Sequence, residues 1–582
     1  MTPIVDRKWN VKEQGNPVLV RQLAQEIGID PVLSNLLVQR GIKSYEEARE
    51  FFRPDLSMLH DPFLMVDMQR AVDRIELAVS RKEKILIYGD YDVDGTTAVA
   101  LMYIFLKSVT PEYLLDYYIP DRYDEGYGVS YKGIDYARKK GCSLIIALDC
   151  GIKAIEKVEY AASKGIDVVI CDHHLPEEGL PAAVAVLDPK REDCHYPFDD
   201  LCGCGVGFKL VQAYAQVEGI PFEELVPLLD LLVVSIASDL VSVRGENRVL
   251  AHFGLRRLNE QPRKGLQAII NLSNLESNHV TIDDIVFKIG PRINAAGRME
   301  TGRLAVELLT AQDDAAAARI ATQINDNNNE RKSIDREITR EAIEMVMTGN
   351  CISSENATIV YNPSWNKGVV GIVASRLVEA FYRPTIVLTK SAEGFIAGSA
   401  RSVAGFDLYE AIESCSDLLE NFGGHTYAAG LTMKEEKFAE FSRRFEEHVA
   451  KAITDDILTP IINVDSYLEF NQITPKFFRL LKQFQPFGPG NPSPVFITEN
   501  VYDNGNGRCV GSDNGHLKLE LIQNDSAYLP LSAIAFNQSD HFAHIQAGNP
   551  IDICYSIAEN YYRGIANIQL RIKDIKDKED LF

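Results

Sequence analysis

Short apolar runs, most of them ending in aspartate, follow one another through residues 84–188. Five runs are predicted to be strands: residues 84–90, 114–119, 143–149, 166–172 and 184–188. Helix-like stretches lie between several of them, the clearest over residues 96–106. Nearly continuous apolar strands that alternate with helices are typical of a buried parallel sheet. We therefore predict a doubly wound α/β domain, whose ligands bind beyond the carboxyl ends of the strands.

The pattern changes from residue 303 onward. Residues 303–347 are polar, helical in pattern and free of proline, and thirty of them in a helix would extend about 45 Å, enough to connect two domains. A second α/β block is predicted over residues 357–455, with strands at 358–361, 385–388 and 395–399. Alternating segments at residues 514–522 and 561–573 then predict a C-terminal barrel of the OB type.

Composition narrows the class of protein. With 582 residues, 46% hydrophobic and 25% charged, the chain is an ordinary globular protein of several domains. Ten cysteines are too few for a disulfide scaffold, and neither a signal peptide nor a membrane-spanning run is evident, so we expect a cytoplasmic protein. The net charge of −23 opposes binding to nucleic acid, unless a local groove or bound cations reverse the sign.

Acidic residues are concentrated directly after the first predicted strand. Asp90, Asp92 and Asp94 fall within five residues, and such close carboxylates repel one another unless cations lie among them. Capping of the following helix is the alternative interpretation, but it requires only one aspartate. We therefore predict a divalent metal site.

Further candidate ligands follow other apolar runs. Asp149 ends one predicted strand, Asp172, His173 and His174 end another, and Asp239 ends a later apolar segment. Strand ends share one edge of such a sheet, so these side chains are expected to converge. Carboxylates combined with imidazole suit Mn²⁺, with Mg²⁺ as the alternative, and the number of ligands favours two ions.

Basic residues within residues 288–303 predict a phosphate-binding loop. Arg292 and Arg298 contribute to a local charge of +3, and Asn294 adds a side-chain amide. The alternative interpretation is a solvated loop, because Gly290, Pro291 and Gly297 indicate irregular backbone there. Two glycine-rich segments are weaker candidates for phosphate binding. The residues that we select in them are Ser399, Arg401, Ser402 and His425.

The acidic and histidine motifs resemble the four motifs of the DHH phosphoesterase superfamily. Five further segments resemble the RecJ family of single-strand exonucleases in order and spacing, and the match extends from about residue 50 to the end of the chain. These segments are GPRINAAGRM (290–299), GVVGIVASRL (368–377), GSARS (398–402), GGHTYAAG (423–430) and PFGPGNPSPVF (486–496).

The resemblance implies a division of the chain and roles for the candidate residues. The implied segments are an N-terminal extension (1–50), a DHH catalytic domain (51–302), a connecting helix (303–348), a DHHA1 domain (349–458) and an OB-type domain (459–582). It implies that Asp92, Asp94, Asp149, His173 and Asp239 are metal ligands, with Asp90 as an added ligand. Asp92 and Asp149 are then also catalytic, and His174 acts as a proton donor or stabilises the transition state.

Two other positions bear on the resemblance. Arg122 matches an arginine that contacts DNA phosphates in the family. Asn366 stands where the family usually has histidine, and because an amide does not titrate near neutrality, an acid or base role there is in doubt.

The implied function is metal-dependent hydrolysis of single-stranded DNA from the 5′ end, in DNA repair and recombination. The resemblance also suggests a monomer that works with a single-strand binding protein and a RecQ-type helicase. Two alternatives remain: a DHH phosphoesterase for short oligonucleotides or cyclic dinucleotides, and a non-catalytic DNA-binding scaffold.

Overall fold

The computed structural model describes residues 7–122, 124–275, 278–349, 351–353, 356–391, 394–511, 514–523, 530–562 and 565–578. The chain divides into two compact units. One comprises Arg49–Glu330 with Phe484–Pro492, and the other comprises Met1–Ala48, Arg331–Gln483 and Ser493–Phe582. Among the described residues, no helix is both long and apolar enough to cross a membrane.

The unit that contains Arg49–Glu330 is built on a five-stranded parallel sheet, as predicted. Its strands, in spatial order, are Leu115–Tyr118, Lys84–Gly89, Cys142–Leu148, Asp167–Cys171 and Ala185–Leu187. Strand Lys84–Gly89 comes first in sequence, and the next two strands lie on opposite sides of it, so the strand order reverses beside it. Ligands of such sheets bind at this reversal, beyond the carboxyl ends of the strands.

Helices cover both faces of this sheet. Alternate side chains of strand Lys84–Gly89 point to opposite faces, so Ile85 and Ile87 join one apolar cluster while Leu86 and Tyr88 join the other. The larger helices of the unit are Met68–Arg81, Val93–Val109, Tyr131–Lys140, Ile155–Ser163, Gly203–Val217, Leu229–Ser238, Gly245–Glu260, Lys264–Leu272, Gly290–Met299 and Arg303–Leu309.

The prediction of an irregular loop at residues 288–303 was wrong. A π-helical turn, Ile285–Ile289, leads directly into the helix Gly290–Met299. Pro291 is compatible with that helix because it lies in the first turn, where backbone N–H groups have no partner within the helix. The glycine and proline residues of this segment therefore belong to a tightly packed helix and not to a loop.

The long helix predicted within residues 303–348 is confirmed, but it begins at Asp314 and not at residue 303. The segment forms two helices, Arg303–Leu309 and Asp314–Met347. The carboxylate of Asp313 accepts hydrogen bonds from the backbone N–H groups of Ala315 and Ala316, at 2.9 and 3.1 Å, and so starts the second helix.

The other unit contains the second predicted α/β block. Its six-stranded sheet has the spatial order Asn421–His425, Ala428–Met433, Ile396–Arg401, Thr385–Lys390, Thr358–Tyr361 and Ile352–Ser353. The helices of this block are Val370–Phe381, Leu408–Glu413 and Phe438–Ala452. The three predicted strands are confirmed. The glycine-rich segment around residue 425 forms a pair of antiparallel strands, in which Gly423 faces Gly430, joined by a turn at residues 426–427.

The C-terminal part of this unit forms a closed barrel, as predicted. Its strands, in order, are Phe496–Asp503, Ile551–Tyr562, Ile565–Asp577, Leu531–Ala535 and His516–Gln523, and the last pairs with the first. The remaining elements of the unit include Lys8–Val11, Pro17–Ile27, Pro31–Gln39, Ile461–Val464, Ser466–Tyr467, Pro475–Lys482, Arg508–Val510 and Phe542–Gln546. Helix Tyr45–Phe52 is divided between the two units, after Ala48. Lys8–Val11 pairs in parallel with Ile461–Val464. The exact limits of the five predicted segments stay predictions.

Candidate metal centre and phosphate-binding residues

The aspartates after strand Lys84–Gly89 have different partners. Asp92 is the N-cap of helix Val93–Val109, and its Oδ1 accepts a hydrogen bond from the backbone N–H of Gly95 at 3.0 Å. One aspartate thus serves as a cap, which was the alternative interpretation for this cluster. Asp90 is buried, and its Oδ1 accepts a longer hydrogen bond of 3.4 Å from the N–H of Gly128.

Asp94 is buried in the first turn of the same helix. Its Oδ2 accepts a hydrogen bond from the N–H of Gly203 at 2.6 Å. Its Oδ1 accepts hydrogen bonds from the N–H of Cys204 at 2.7 Å and from the hydroxyl of Ser235 at 2.6 Å. Three donors therefore fix the orientation of this carboxylate and occupy both lone-pair directions of Oδ1, so Oδ2 is the oxygen that retains one for a cation.

Asp149 follows strand Cys142–Leu148 in a strained conformation. Its φ angle is 58°, in the left-handed region that costs a non-glycine residue about 1–3 kcal/mol. Tyr127 donates a hydrogen bond from its hydroxyl to the carbonyl oxygen of Asp149 at 2.7 Å. A Cβ atom at Gly203 would lie 2.5 Å from both Cβ and Oδ1 of Asp149, so glycine is required where the two backbones meet.

His173 lies at the centre of the acidic cluster. Its Nε2 is 3.2 Å from Asp149 Oδ1, 3.6 Å from Asp239 Oδ2 and 3.8 Å from Asp94 Oδ2. Ligand atoms of Asp94, His173 and Asp239 all lie within 4.8 Å of one another, and those of Asp149, His173 and His174 do so as well. The structure therefore brings five of the predicted residues into two overlapping groups that share His173. Asp90 and Asp92 lie outside both groups.

The polar atoms at the centre are buried and unpaired. Within the described part of the chain, no hydrogen-bond partner reaches Asp149 Oδ1 or either ring nitrogen of His173. Burial lowers the pKa of His173, which favours the neutral imidazole, whose unprotonated ring nitrogen can bind a cation. Buried polar atoms without partners are costly, so the chemistry of this arrangement fits a divalent cation.

Charge repulsion within the cluster supports the same conclusion. Burial, with added repulsion from Asp94 and Asp92, raises the pKa of Asp149 well above its usual range and that of Asp239 to about 9. Burial and the charge of Asp92 likewise raise the pKa of Asp90, and burial and the charge of Asp94 raise the pKa of Asp92. A cation bound among these carboxylates would favour their ionised forms.

His174 has a different environment from His173. Its Nδ1 lies 2.7 Å from Asp172 Oδ1. Burial alone would lower the pKa of His174, but the hydrogen bond to Asp172 outweighs it, so the net shift is upward. Asp172 also accepts hydrogen bonds from the backbone N–H groups of His173 at 2.8 Å and Ile152 at 2.9 Å. Asp172 therefore holds His174 in place, with a proton on its ring.

Three residues of this site were not assigned a role from the sequence. Asp172 was recognised among the candidates at strand ends but was not assigned a role with the metal ligands. Asp188 ends strand Ala185–Leu187 at the same edge, and burial raises its pKa to about 7. Tyr127 places its hydroxyl oxygen 3.2 Å from His174 Nδ1 and 3.3 Å from Nε2. The strand-end rule could have found both aspartates, whereas no sequence pattern indicated Tyr127.

The predicted DNA-contacting residues of this unit surround Tyr91, within the acidic motif. The guanidinium of Arg122 lies over the Tyr91 ring, 4.7 Å from its centroid. A Cβ at Gly297 would lie 2.7 Å from the Tyr91 carbonyl oxygen, so helix Gly290–Met299 packs directly on the motif. Burial raises the pKa of Tyr91 to about 12, and the charge of the nearby Arg298 opposes this shift.

The other two predicted residues of helix Gly290–Met299 are half-buried. Arg292 donates from Nε to Asn325 Oδ1 at 3.1 Å and from Nη1 to the carbonyl oxygen of Lys288 at 2.7 Å. Asn294 lies two residues further along the same helix.

Two of the four candidate residues of the second unit, Ser399 and Arg401, lie beside the N-terminal turn of helix Val370–Phe381. Arg401 donates from Nη1 to Ser399 Oγ at 2.7 Å. A Cβ at Gly371 would lie 3.0 Å from Arg401 Nη2 and 3.1 Å from Ser399 Oγ. Ser402 instead donates its hydroxyl hydrogen to the carbonyl of Phe406 at 2.9 Å. His425 is exposed at the end of its strand.

Asn366 has a local structural role just before the same helix. Its Oδ1 accepts a hydrogen bond from the backbone N–H of Gly368 at 2.7 Å. This contact shapes the turn that precedes helix Val370–Phe381.

Three protein-family models match the chain. They are the DHH family, N-terminal domain, over residues 84–236, the DHHA1 domain over residues 354–451 and the RecJ OB domain over residues 464–574. The acidic strand ends lie within the first match, and the closed barrel corresponds to the third. The predicted order of domain types is therefore confirmed.

Curated relatives and a solved structure are similar over nearly the whole chain. The single-stranded-DNA-specific exonuclease RecJ of Bacillus subtilis is 38% identical over 97% of this chain and 70% of its own length. RecJ of Escherichia coli is 31% identical over 94% of this chain and 96% of its own length. The crystal structure of Thermus thermophilus RecJ in complex with Mn²⁺ has 25% identity and a TM-score of 0.83, covering 99% of this chain and 80% of that one. The chain therefore belongs to the RecJ family of single-stranded-DNA-specific exonucleases.

Proposed function

We propose that this protein hydrolyses single-stranded DNA from its 5′ end, with two divalent cations, Mn²⁺ or Mg²⁺, bound at the carboxyl edge of the parallel sheet. The observation that carries the metal site is the position of His173, whose unpaired Nε2 lies within 4 Å of carboxylate oxygens from Asp94, Asp149 and Asp239. Relatives named as single-stranded-DNA-specific exonucleases support the substrate and reaction.

Ligand roles follow from the surroundings of each side chain. Asp94, Asp149, His173 and Asp239 are the firmest ligands because their donor atoms lie together. Asp92 and Asp90 add negative charge beside them, and Asp92 keeps its second oxygen for a cation while Oδ1 caps the helix. When bound, the cations supply an acidified water as nucleophile and offset charge on the phosphate.

His174 is the proposed proton donor to the leaving oxygen. Asp172 holds its Nδ1 at 2.7 Å, so the proton available to substrate is the one on Nε2. The upward shift of its pKa keeps this proton in place near neutral pH. Tyr127 fixes the backbone of Asp149 and contacts the His174 ring, so it couples the position of the acid to that of a ligand.

Arginine side chains would hold the strand in register. Arg122, Arg292 and Arg298, with Asn294, supply cations and an amide beside the acidic motif, where phosphates must approach. In the second unit, Ser399, Arg401, Ser402 and His425 are proposed to bind the 5′-terminal phosphate. A helix N-terminus next to Ser399 and Arg401 supports this role. Such a phosphate site would set the 5′→3′ polarity.

The test of this function combines a polarity assay with a site variant. Oligonucleotides that carry a 5′-phosphate, a 5′-hydroxyl or a blocked 3′ end are digested in Mn²⁺, in Mg²⁺ and after exhaustive chelation. We expect release of nucleotides from the 5′ end in metal only, and loss of hydrolysis with retained strand binding for Asp149→Ala. Digestion that survives chelation, or that starts at the 3′ end, would refute the proposal.

Two further parts of the proposal concern the cellular setting. The ten cysteines are free thiols, as expected in a reducing compartment, which supports a cytoplasmic location and work on DNA during repair and recombination. We propose, on the family resemblance, a single-strand binding protein and a RecQ-type helicase as partners. Pull-down of the purified chain with each candidate tests these contacts.

A further inference from the structure

The motif at residues 486–496 has no role in the site described so far. The segment Phe484–Pro492, which overlaps the first part of this motif, lies inside the match to the RecJ OB domain, yet it groups with the unit that contains Arg49–Glu330. This nine-residue segment therefore belongs structurally to the unit that carries the metal ligands.

The segment is fixed to its unit by backbone carbonyl groups. Arg248 donates from Nη1 to the carbonyl oxygen of Phe484 at 3.1 Å and from Nη2 to that of Gln485 at 3.0 Å. Asn491 donates from Nδ2 to the carbonyl oxygens of Phe484 and Pro486, both at 2.8 Å. The Phe484 ring is fully buried, with ring centroids 5.6 Å from Phe51 and 5.2 Å from Phe52. These contacts hold the segment as a rigid surface.

This surface contacts the turn that follows Asp239. The backbone N–H of Val243 donates to the carbonyl of Pro489 at 2.7 Å, and Arg244 Nε donates to that of Gly490 at 2.5 Å. A Cβ at Gly488 would lie 2.5 Å from Val243 Cγ2, and one at Gly490 would lie 2.4 Å from Ser242 Oγ. Glycine at both positions therefore allows the two backbones to approach each other.

The turn itself connects Asp239 to helix Gly245–Glu260. Asp239 is the last residue to bond back to helix Leu229–Ser238, through its N–H to the carbonyl of Ser235 at 2.9 Å. Leu240, the next residue, has a φ angle of 57° and a side chain that is 56% exposed. Its left-handed conformation costs about 1–2 kcal/mol and persists only if the neighbouring chain fixes it. Asn247 supports the turn from the other side, by donating to the carbonyl of Ser242 at 2.9 Å.

We propose that Phe484–Pro492 is a positioning element for the metal centre: by holding the turn Leu240–Arg244, it sets the place of the Asp239 carboxylate beside His173. This inference rests on the proposed function, because it takes Asp239 as a metal ligand. Partners that orient a ligand typically change metal affinity 10–100-fold when they are altered. The expected signature is therefore weaker metal binding with catalysis that recovers at high metal concentration.

The experiment measures Mn²⁺ affinity of the full chain directly, from the electron paramagnetic resonance signal of free Mn²⁺. Gly488→Ala should raise the Mn²⁺ dissociation constant about tenfold, while kcat at saturating Mn²⁺ and KM for DNA stay within about twofold. Val243→Ala removes the atom that the new methyl group meets, so the double variant Gly488→Ala/Val243→Ala should regain most of the affinity. Arg248→Lys, which keeps the charge but loses the paired carbonyl contacts, should weaken binding in the same direction.

Two controls make the result decisive. Gly505→Ala adds the same methyl group at a glycine with a left-handed backbone, where no other atom lies within 4 Å of the new Cβ. The substitution therefore costs stability without contacting the turn, and it should leave the Mn²⁺ affinity unchanged. Asp239→Asn tests the site itself. If Asp239→Asn weakens Mn²⁺ binding but neither Gly488→Ala nor Arg248→Lys does, the positioning role is wrong. If Asp239→Asn has no effect, the proposed metal site is wrong instead.

Discussion

Replacing Asp239 by asparagine should change how the stability of the metal-free protein depends on pH. Burial and the charges of Asp94 and Asp92 raise the pKa of Asp239 to about 9, from a usual value of 3.8. Between these two values the folded protein holds a proton that the unfolded chain has released. The contribution of Asp239 to the free energy of unfolding therefore has its full value below about pH 4 and is lost as pH rises towards 9.

The magnitude follows from one retained proton. Each such proton contributes a slope of about 1.4 kcal/mol per pH unit to the free energy of unfolding, so Asp239 alone accounts for about 2.7 kcal/mol between pH 6 and pH 8. Asp149 and Asp90, whose pKa values are raised in the same direction by burial, add to the slope in both proteins. Asp239→Asn should make the slope shallower by up to about 1.4 kcal/mol per pH unit. Saturating Mn²⁺ should remove most of the pH dependence of the wild-type protein, because carboxylates that bind the cation stay ionised.

Hydrogen exchange of the buried strand Cys142–Leu148, measured in chelator between pH 6 and pH 8, reports this free energy for the correct unit. Tryptophan fluorescence would not report the unfolding of this unit, since Trp9 and Trp365 both lie in the other unit. Asp326→Asn, at an exposed carboxylate, is the matched control and should keep the wild-type slope. Equal slopes for Asp239→Asn and wild type would refute the charge-cluster argument.

Three other variants test separate parts of the site. Arg298→Ala should reduce the salt dependence of single-strand binding, with the slope of log affinity against log salt falling by about 0.7, and an unchanged slope would remove Arg298 from the DNA contacts. Asp172→Asn should lower kcat about 10²–10⁴-fold, because His174 loses the acceptor that raises its pKa. The alkaline limb of the pH–rate profile should move to lower pH for the same reason, and an unmoved limb would contradict the role of Asp172. Gly203→Ala should abolish Mn²⁺ binding, since its methyl group would overlap Asp149, whereas Gly207→Ala in the same helix meets only a Leu148 side-chain carbon at 3.1 Å and should retain it.

The sheet and its acidic edge could be predicted because one physical rule covers both. Apolar runs that end in polar residues specify buried parallel strands, and parallel strands bring their carboxyl ends to one edge. Asp149 and His173 follow two of the strands, and Asp94 lies at the start of the helix that follows a third, so the rule places these three side chains together. Asp239 lies 145 residues beyond Asp94 and ends helix Leu229–Ser238 and not a strand, so its position beside His173 does not follow from this rule.

Local composition was a poorer guide wherever packing decided the backbone. Gly290, Pro291 and Gly297 predicted a loop, but the structure has a helix, because Gly297 allows that helix to touch the Tyr91 carbonyl. The break between helices Arg303–Leu309 and Asp314–Met347 depends on a single cap at Asp313. The role of Tyr127 could not be predicted, because it depends on the left-handed backbone conformation of Asp149. An aspartate at the end of a strand does not indicate that conformation in the sequence.

The parallel pairing of Lys8–Val11 with Ile461–Val464 has a consequence for synthesis on the ribosome. The two strands are 453 residues apart, so at about 5–20 residues per second the first strand waits roughly 20–90 s for its partner. The catalytic sheet, complete by Leu187, can form during that interval. Polar Lys8 and Asn10 along the waiting strand reduce the chance that its open edge pairs with a neighbouring nascent chain.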